Sequence, residues 1–325
     1  MLHRPRETVC SCFLRPALIP QKLVPFLLRL STFLSRPPRG KYVVKKIPIE
    51  LLNQVEKQQA FKEVELLRAL SHPNIVKFNS NFLEEQILHI VMECCEGGDL
   101  AGYLKKQKQG GRGLVAEAQI LDWFMQICLA LRYIHEEHHI MHRDLKTSNI
   151  FLKSNNVVKL GDFGIARVLE GTLEQAKTVV GTPYYMSPEV CENKPYSYKS
   201  DVWALGCVLY EMCTLKHAFD ANNLLGLVYK IVQEDYPPIS DHYSRELSNI
   251  VTLLLTKDVH RRPGLEQILA STFLRSHARG MADSGGSLGE KVPKRAVLRD
   301  KSQPREQRER IRGGMFYRRH PILLR

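Results

Sequence analysis

The chain has 325 residues, 44% apolar and 25% charged, which excludes a low-complexity polymer and allows a large buried core. Its formal charge of +13 resides at the two ends: residues 1–46 hold ten Lys/Arg against one acid, and residues 281–325 hold twelve against five. The stretch between them carries a slight acidic excess, so no specific nucleic-acid surface is expected and the basic ends read as solvated tails.

The eight cysteines show no paired Cys-x-x-Cys units with zinc spacing and no secretory signal stands in front of them, so reduced thiols and a cytoplasmic setting are expected. The apolar run Leu23 to Leu34 is too short to span a bilayer and is interrupted by Pro25 and Arg29. Thr8 to Ile49 contains no acid, a composition shared with mitochondrial transit peptides. The reading preferred is an unrelated or alternative leader over residues 1–40, ending in the breaker cluster Ser35-Arg36-Pro37-Pro38-Arg39-Gly40.

In chain order, Tyr42 to Ile47 is a short β-rich run, and residues 52–70 fit a helix with Phe61, Val64, Leu67 and Leu70 on one stripe. His72-Pro73-Asn74-Ile75-Val76 opens a strand, Ile87 to Cys94 forms another, and Gly97-Gly98-Asp99 ends the β-rich part. Ile120, Phe124, Ile127, Leu131 and Ile134 make one buried helical stripe that leads to His142. Residues 201–214 read as a thoroughly buried helix, with further helices at 221–233 and 245–256. Beyond about residue 276 apolar periodicity fails, and a basic disordered tail, 276–325, is expected.

The densest information lies in His142-Arg143-Asp144-Leu145-Lys146-Thr147-Ser148-Asn149 and, eighteen positions after Asp144, in Asp162-Phe163-Gly164. One carboxylate to take a hydroxyl proton, a lysine near the transferred group, and an amide oxygen plus a second carboxylate for magnesium together suit phosphoryl transfer. Ser187-Pro188-Glu189 follows Asp162 by 25 residues. The histidines 135, 138, 139 and 142 lack acidic or thiol companions, so they are read as helix-end and loop residues rather than as metal ligands.

These blocks resemble the eukaryotic protein kinases. The resemblance implies a two-lobed α+β fold, with an N-lobe over 41–96 and a mainly helical C-lobe over 97–275. It implies ATP and Mg2+ as cofactors and protein substrates as partners. Asp144 takes the catalytic-base role, Lys146 steadies the phosphoryl charge in the serine/threonine form, and Asn149 and Asp162 are the metal ligands. Lys45, with Lys46 as its adjacent alternative, matches the phosphate-pairing strand lysine, and Glu63 its helix partner. Met92, Glu93 and Cys95 match the hinge around adenine. Phe151 is either the floor of that pocket or a core residue. Thr182 is expected to bridge Asp144 and Lys146, and a phosphate on Thr178 would give Arg143 a doubly charged partner. Ile165 hints at threonine acceptors, and Glu189 is expected to pair with Arg262. Glu93-Cys-Cys-Glu-Gly-Gly-Asp-Leu100, Gly181-Thr-Pro-Tyr-Tyr-Met-Ser-Pro-Glu189, Asn193-Lys-Pro-Tyr-Ser-Tyr-Lys-Ser-Asp201 and Cys213-Thr-Leu-Lys-His-Ala-Phe219 resemble the NIMA-related kinases, a family that implies work at microtubules, centrosomes, cilia or the cell cycle.

One part of the pattern is missing. Such a domain opens with a Gly-rich hairpin about twenty residues before the strand lysine, yet Gly40 is the sole glycine among the first 96 residues. The expectation is an N-lobe that lacks two of five strands, leaves the edge of the Lys45 strand bare and binds ATP weakly. Two readings stay open at this point: a protein serine/threonine kinase, or a catalytically impaired pseudokinase acting as a scaffold.

Overall fold

The computed structural model describes residues 30–35, 40–111, 113–162 and 183–283. Strand β1 (Leu30–Ser35) runs antiparallel to β2 (Gly40–Pro48), from Leu30 opposite Lys45 to Ser35 opposite Gly40. β2 pairs in turn with β4 (Ile87–Glu93), and β4 with β3 (Phe78–Glu84), giving the order β1-β2-β4-β3. This corrects the expected loss of two strands. The last residues of the stretch read as leader, Leu-Ser-Thr-Phe-Leu-Ser, supply a β-prone segment that covers the edge of β2 along six residues. Residues 36–39, which connect the two strands, lie outside the described residues.

Ile47, Leu88 and Ile90 fill the inner face of the sheet. Helix α1 (Gln54–Ala69) packs there, started by a capping box in which Asn53 and Glu56 satisfy each other's backbone N–H. Its buried stripe is Ala60, Val64 and Leu67. Phe61 falls one position round the helix from that stripe and is 40% exposed, contrary to expectation. The strand expected from His72 is also displaced. Ile75 and Val76 bridge to Leu160 of the other lobe, and β3 begins only at Phe78.

The helical lobe opens on two successive helices, the second of them buried. α2 (Leu100–Gln109) is capped by Asp99, and α3 (Glu117–Arg132) follows it, continued by a π turn over Tyr133–Glu137. Ile120, Phe124, Ile127, Leu131 and Ile134 are wholly buried, as the spacing predicts. Each such side chain contributes about 1.5–3 kcal/mol of burial. β5 (Ile150–Leu152) and β6 (Val158–Leu160) form a short hairpin against α3. After α4 (Pro188–Cys191) comes α5 (Tyr198–Thr214), buried from Ser200 to Cys213. α6 (Leu224–Gln233), α7 (Arg245–Leu254), α8 (Leu265–Leu269) and α9 (Thr272–Asp283) complete the lobe. α9 runs past residue 276, where the tail is expected to begin. Its Leu274 and Ala278 are buried and His277 reaches Asp122 at 2.7 Å.

Candidate active site

The π turn after α3 hands the chain to a loop, residues 142–149, whose backbone is held from below. Asp201, in the first turn of α5 and wholly buried, accepts from the His142 N–H at 2.7 Å and the Arg143 N–H at 3.0 Å. The Tyr196 hydroxyl at 2.5 Å and the His135 ring nitrogen at 2.7 Å complete its shell. Burial opposes the charge on Asp201, but the bonds from His135 and Tyr196 and the nearby His142 hold the carboxyl below its ordinary value. This clamp keeps Arg143 in the left-handed region at φ 65°, a conformation costly for a side chain without such support. The Arg143 guanidinium lies over the Tyr196 ring, 5.8 Å from its centroid.

The loop then presents its polar groups together. Lys146 Nζ donates to Asp144 Oδ2 at 2.7 Å, and Asn149 Nδ2 donates to the same oxygen at 2.9 Å and to the Asp144 carbonyl at 2.8 Å. Asn149 Nδ2 also approaches the Asp162 carbonyl at 3.5 Å. Asp162 follows Gly161, where a Cβ would stand 2.8 Å from Val76 and 2.9 Å from Phe151, so glycine alone permits this approach. Its side chain, 35% exposed, reaches Lys45 Nζ at 3.4 Å, and Lys45 in turn holds Glu63 Oε1 at 3.0 Å. Strand alternation decides between the adjacent lysines: Lys45 is buried toward α1, whereas Lys46 is on the opposite face and pairs in register with His89. Burial disfavours the Lys45 ammonium, but the Glu63 and Asp162 carboxylates outweigh it and raise the group above its ordinary value.

Glu63, Lys45, Asp162, Asn149, Asp144 and Lys146 thus form one chain of contacts across the two lobes. Two oxygens in it suit a hard cation: the Asp162 carboxylate and the amide oxygen of Asn149, whose nitrogen is committed to Asp144. So small and partly exposed a set matches Mg2+, which retains waters and takes substrate phosphates, better than a closed cage. Among the described residues no group of three or more His, Cys, Asp and Glu could hold a metal. His135 and His142 are engaged with Asp201 and the Gly161 carbonyl, and His138 packs against Tyr133.

At the hinge, Met92 is buried, and the Glu93 side chain is tied to Lys153 at 3.2 Å and Lys159 at 2.8 Å. The Glu93 N–H donates to Lys77 O and the Cys95 carbonyl accepts from Gly98 N. Phe151 is half-buried beside Gly161 and packs against the core. Phe163, Ile165, Thr178 and Thr182 lie outside the described residues. The pair expected between Glu189 and Arg262 is made: Nη1 and Nη2 each meet a carboxylate oxygen at 2.9 Å.

Sequence reasoning missed Asp201. Its signal is an acid at the start of a helix that is otherwise buried, where charge survives only with donors around it. Two cavities of about 570 and 400 Å3 open in the helical lobe, near Tyr210 and Phe219 and near Glu192 and Lys257, and neither is lined by the contact chain.

The protein kinase domain family model matches residues 32–274. The chain is 52% identical over 233 residues to the mouse serine/threonine-protein kinase Nek1, which covers 72% of this chain and 19% of Nek1. It is 51% identical over 236 residues to human Nek5 (72% of this chain, 33% of Nek5) and 48% identical over 238 residues to mouse Nek4 (73% and 30%). The chain therefore spans a third or less of the length of these relatives.

Proposed function

The chain belongs to the protein kinase family, among its NIMA-related serine/threonine members, and from that premise we propose that it transfers the γ-phosphoryl group of ATP to serine or threonine hydroxyls of proteins. The observation that carries the reading is the unbroken line of contacts from Glu63 to Lys146. Asp144, its orientation fixed by Lys146 and Asn149, takes the proton of the attacking hydroxyl as the new O–P bond forms and the bond to the ADP oxygen breaks. Lys146 neutralises charge on the moving phosphoryl group. Lys45, kept protonated by Glu63, pairs with the α- and β-phosphates. Asp162 and Asn149 are the residues that would hold Mg2+, whose chemistry is to screen phosphate charge.

For adenine, the Glu93 carbonyl and the Cys95 N–H are the groups assigned to its edge, because the Glu93 N–H and Cys95 carbonyl already have backbone partners. Met92 closes the rear of that pocket, and Phe151 underlies it beside Gly161. Thr178 and Thr182 are proposed as regulatory positions, with Arg143 as the receiver of a phosphate on Thr178. Cytoplasmic work at microtubules, centrosomes or cilia is proposed on the family resemblance alone. A fluorescent fusion spread evenly through the cytosol at every cell-cycle stage would remove the finer part of it.

β1 bears on the pseudokinase alternative, because the β2 edge is paired rather than bare. The test is incorporation of radiolabelled phosphate from ATP into a generic protein substrate, wild type beside Asp144→Asn. Mg2+-dependent incorporation by the wild type alone is expected; equal background from both proteins would sink the reading.

A further inference from the structure

Thr147 lies between Lys146 and Asn149, yet its side chain is 2% exposed and turned toward the body of the helical lobe. Its Oγ1 is 2.9 Å from the Tyr185 hydroxyl and 3.3 Å from both carboxylate oxygens of Glu211, and the Tyr185 hydroxyl donates to Glu211 Oε2 at 2.5 Å. Burial first, then the adjacent Glu211, pushes the Tyr185 phenol far above its ordinary value, so the hydroxyl keeps its proton and donates. The order Thr147 to Tyr185 to Glu211 uses each proton once.

Glu211 is near the C-terminal end of α5, ten residues from Asp201, so one buried helix grips the catalytic loop on both sides of Asp144. Tyr185 lies in the stretch 183–187 that precedes α4. Its neighbour Tyr184 stacks on His217, 3.9 Å between centroids, and His217 Nδ1 is 3.7 Å from Glu211. Thr147 also opens the 3-10 turn Thr147–Asn149, closed by Asn149 N donating to Lys146 O at 3.0 Å. Any drift of Thr147 therefore moves both donors that orient Asp144.

We propose that Thr147 is a positioning residue for phosphoryl transfer, its hydroxyl joining the turn that carries Lys146 and Asn149 to Tyr185 and Glu211, so that the catalytic loop and residues 183–187 move as one body. The inference rests on the kinase reading above. Thr147→Val keeps the shape of the side chain and removes the hydroxyl, whereas Thr147→Ser keeps the hydroxyl.

In the full chain, Thr147→Val should lower kcat about tenfold, the effect of one lost hydrogen bond, and leave KM for ATP within about twofold. Thr147→Ser should return kcat to within about threefold of wild type, and adding Tyr185→Phe to Thr147→Val should cost less than the product of the two single effects. Amide hydrogen exchange gives a readout without turnover: residues 146–150 should exchange faster in Thr147→Val, with α3 unchanged. Wild-type kcat, unaltered exchange, or a serine variant no better than valine would each overturn the proposal. A wild-type chain no more active than Asp144→Asn would sink the kinase reading instead, and the exchange comparison would still decide the coupling.

Discussion

Asp201 shows how much of a catalytic loop's geometry can depend on one side chain that touches no substrate. Its two oxygens face four donors, two of them backbone N–H groups of His142 and Arg143. In Asp201→Asn one oxygen becomes an NH2 group that must meet an N–H or O–H donor head on. A buried site with mismatched donors loses roughly 2–4 kcal/mol, and the loop it holds loses its register. We expect kcat to fall at least about a hundredfold, more than KM for ATP rises, because Lys45 and the hinge belong to the other lobe. Steady-state kinetics decide this, and a variant with wild-type kcat would show that the clamp is dispensable. Gly161 makes a second case. Gly161→Ala must push Phe151 or Val76 aside by several tenths of an ångström, which displaces Asp162 from Lys45. Its expected signature is weaker nucleotide binding, read by titration calorimetry against wild type.

At the scale of elements, the sequence is most legible where periodicity is strong. The stripe from Ile120 to Ile134 and the buried run from Val202 to Met212 form as the spacing predicts, because both helices bury nearly every apolar face they have. The ends of the β-rich part are less legible. β1 is hidden because Leu30–Ser35 sits inside an apolar, proline-bounded stretch with no glycine turn to announce a hairpin, so only the partner strand reveals its register. Ile75 and Val76 have strand composition, but Asn74 draws them to the other lobe, its amide donating to Gln126 at 2.8 Å and to Val158 O at 3.0 Å. The contact chain of the site was legible from motif spacing. The residues that hold it, Asp201 and Glu211, carry no spacing rule and emerge only from packing. If β1 shields β2, removal of residues 1–35 exposes six unpaired positions next to Lys45. The melting temperature should fall by about 4–8 °C, as for a loss near 2 kcal/mol in a domain of this size, and aggregation should rise. An unchanged melt and monodisperse scattering would show that β1 adds nothing.

At the scale of the molecule, the fold buries some groups that must stay neutral and others that must stay charged, which gives stability a defined pH profile. Glu189 is held below its ordinary value: burial opposes its charge, but the Arg262 guanidinium and Ser200 outweigh it. Its contribution, like that of Asp201, is present above the unfolded carboxyl values and is lost only as pH falls below about 4. His72 behaves differently. Its Nδ1 accepts the Asn74 N–H at 3.0 Å, and burial, then Lys159 and Arg132, lower the ring to about 4. His142, wholly buried, is lowered as well, by burial against the pull of Asp201 and Asp144. For both, the unfolded chain takes up a proton near pH 6.5 that the folded ring resists, so this contribution is full above about 6.5 and declines as pH falls below it, for His72 down to about 4. Each such proton is worth at most about 1.4 kcal/mol per pH unit, and His72, partly exposed, contributes less than that limit. Between about pH 6.5 and 5 the Glu189 and Asp201 pairs are constant, but burial raises the Glu211 carboxyl above its ordinary value, so only the difference between wild type and a His72 variant isolates that ring. Urea unfolding of wild type and His72→Gln at pH 7.5, 6.5 and 5.5 should give a midpoint that drops with acid in both, and less steeply in the variant. Because the substitution also removes the ring stacked on Tyr133, the comparison is of slopes and not of midpoints at one pH. Identical slopes would mean that His72 takes no part in the acid response.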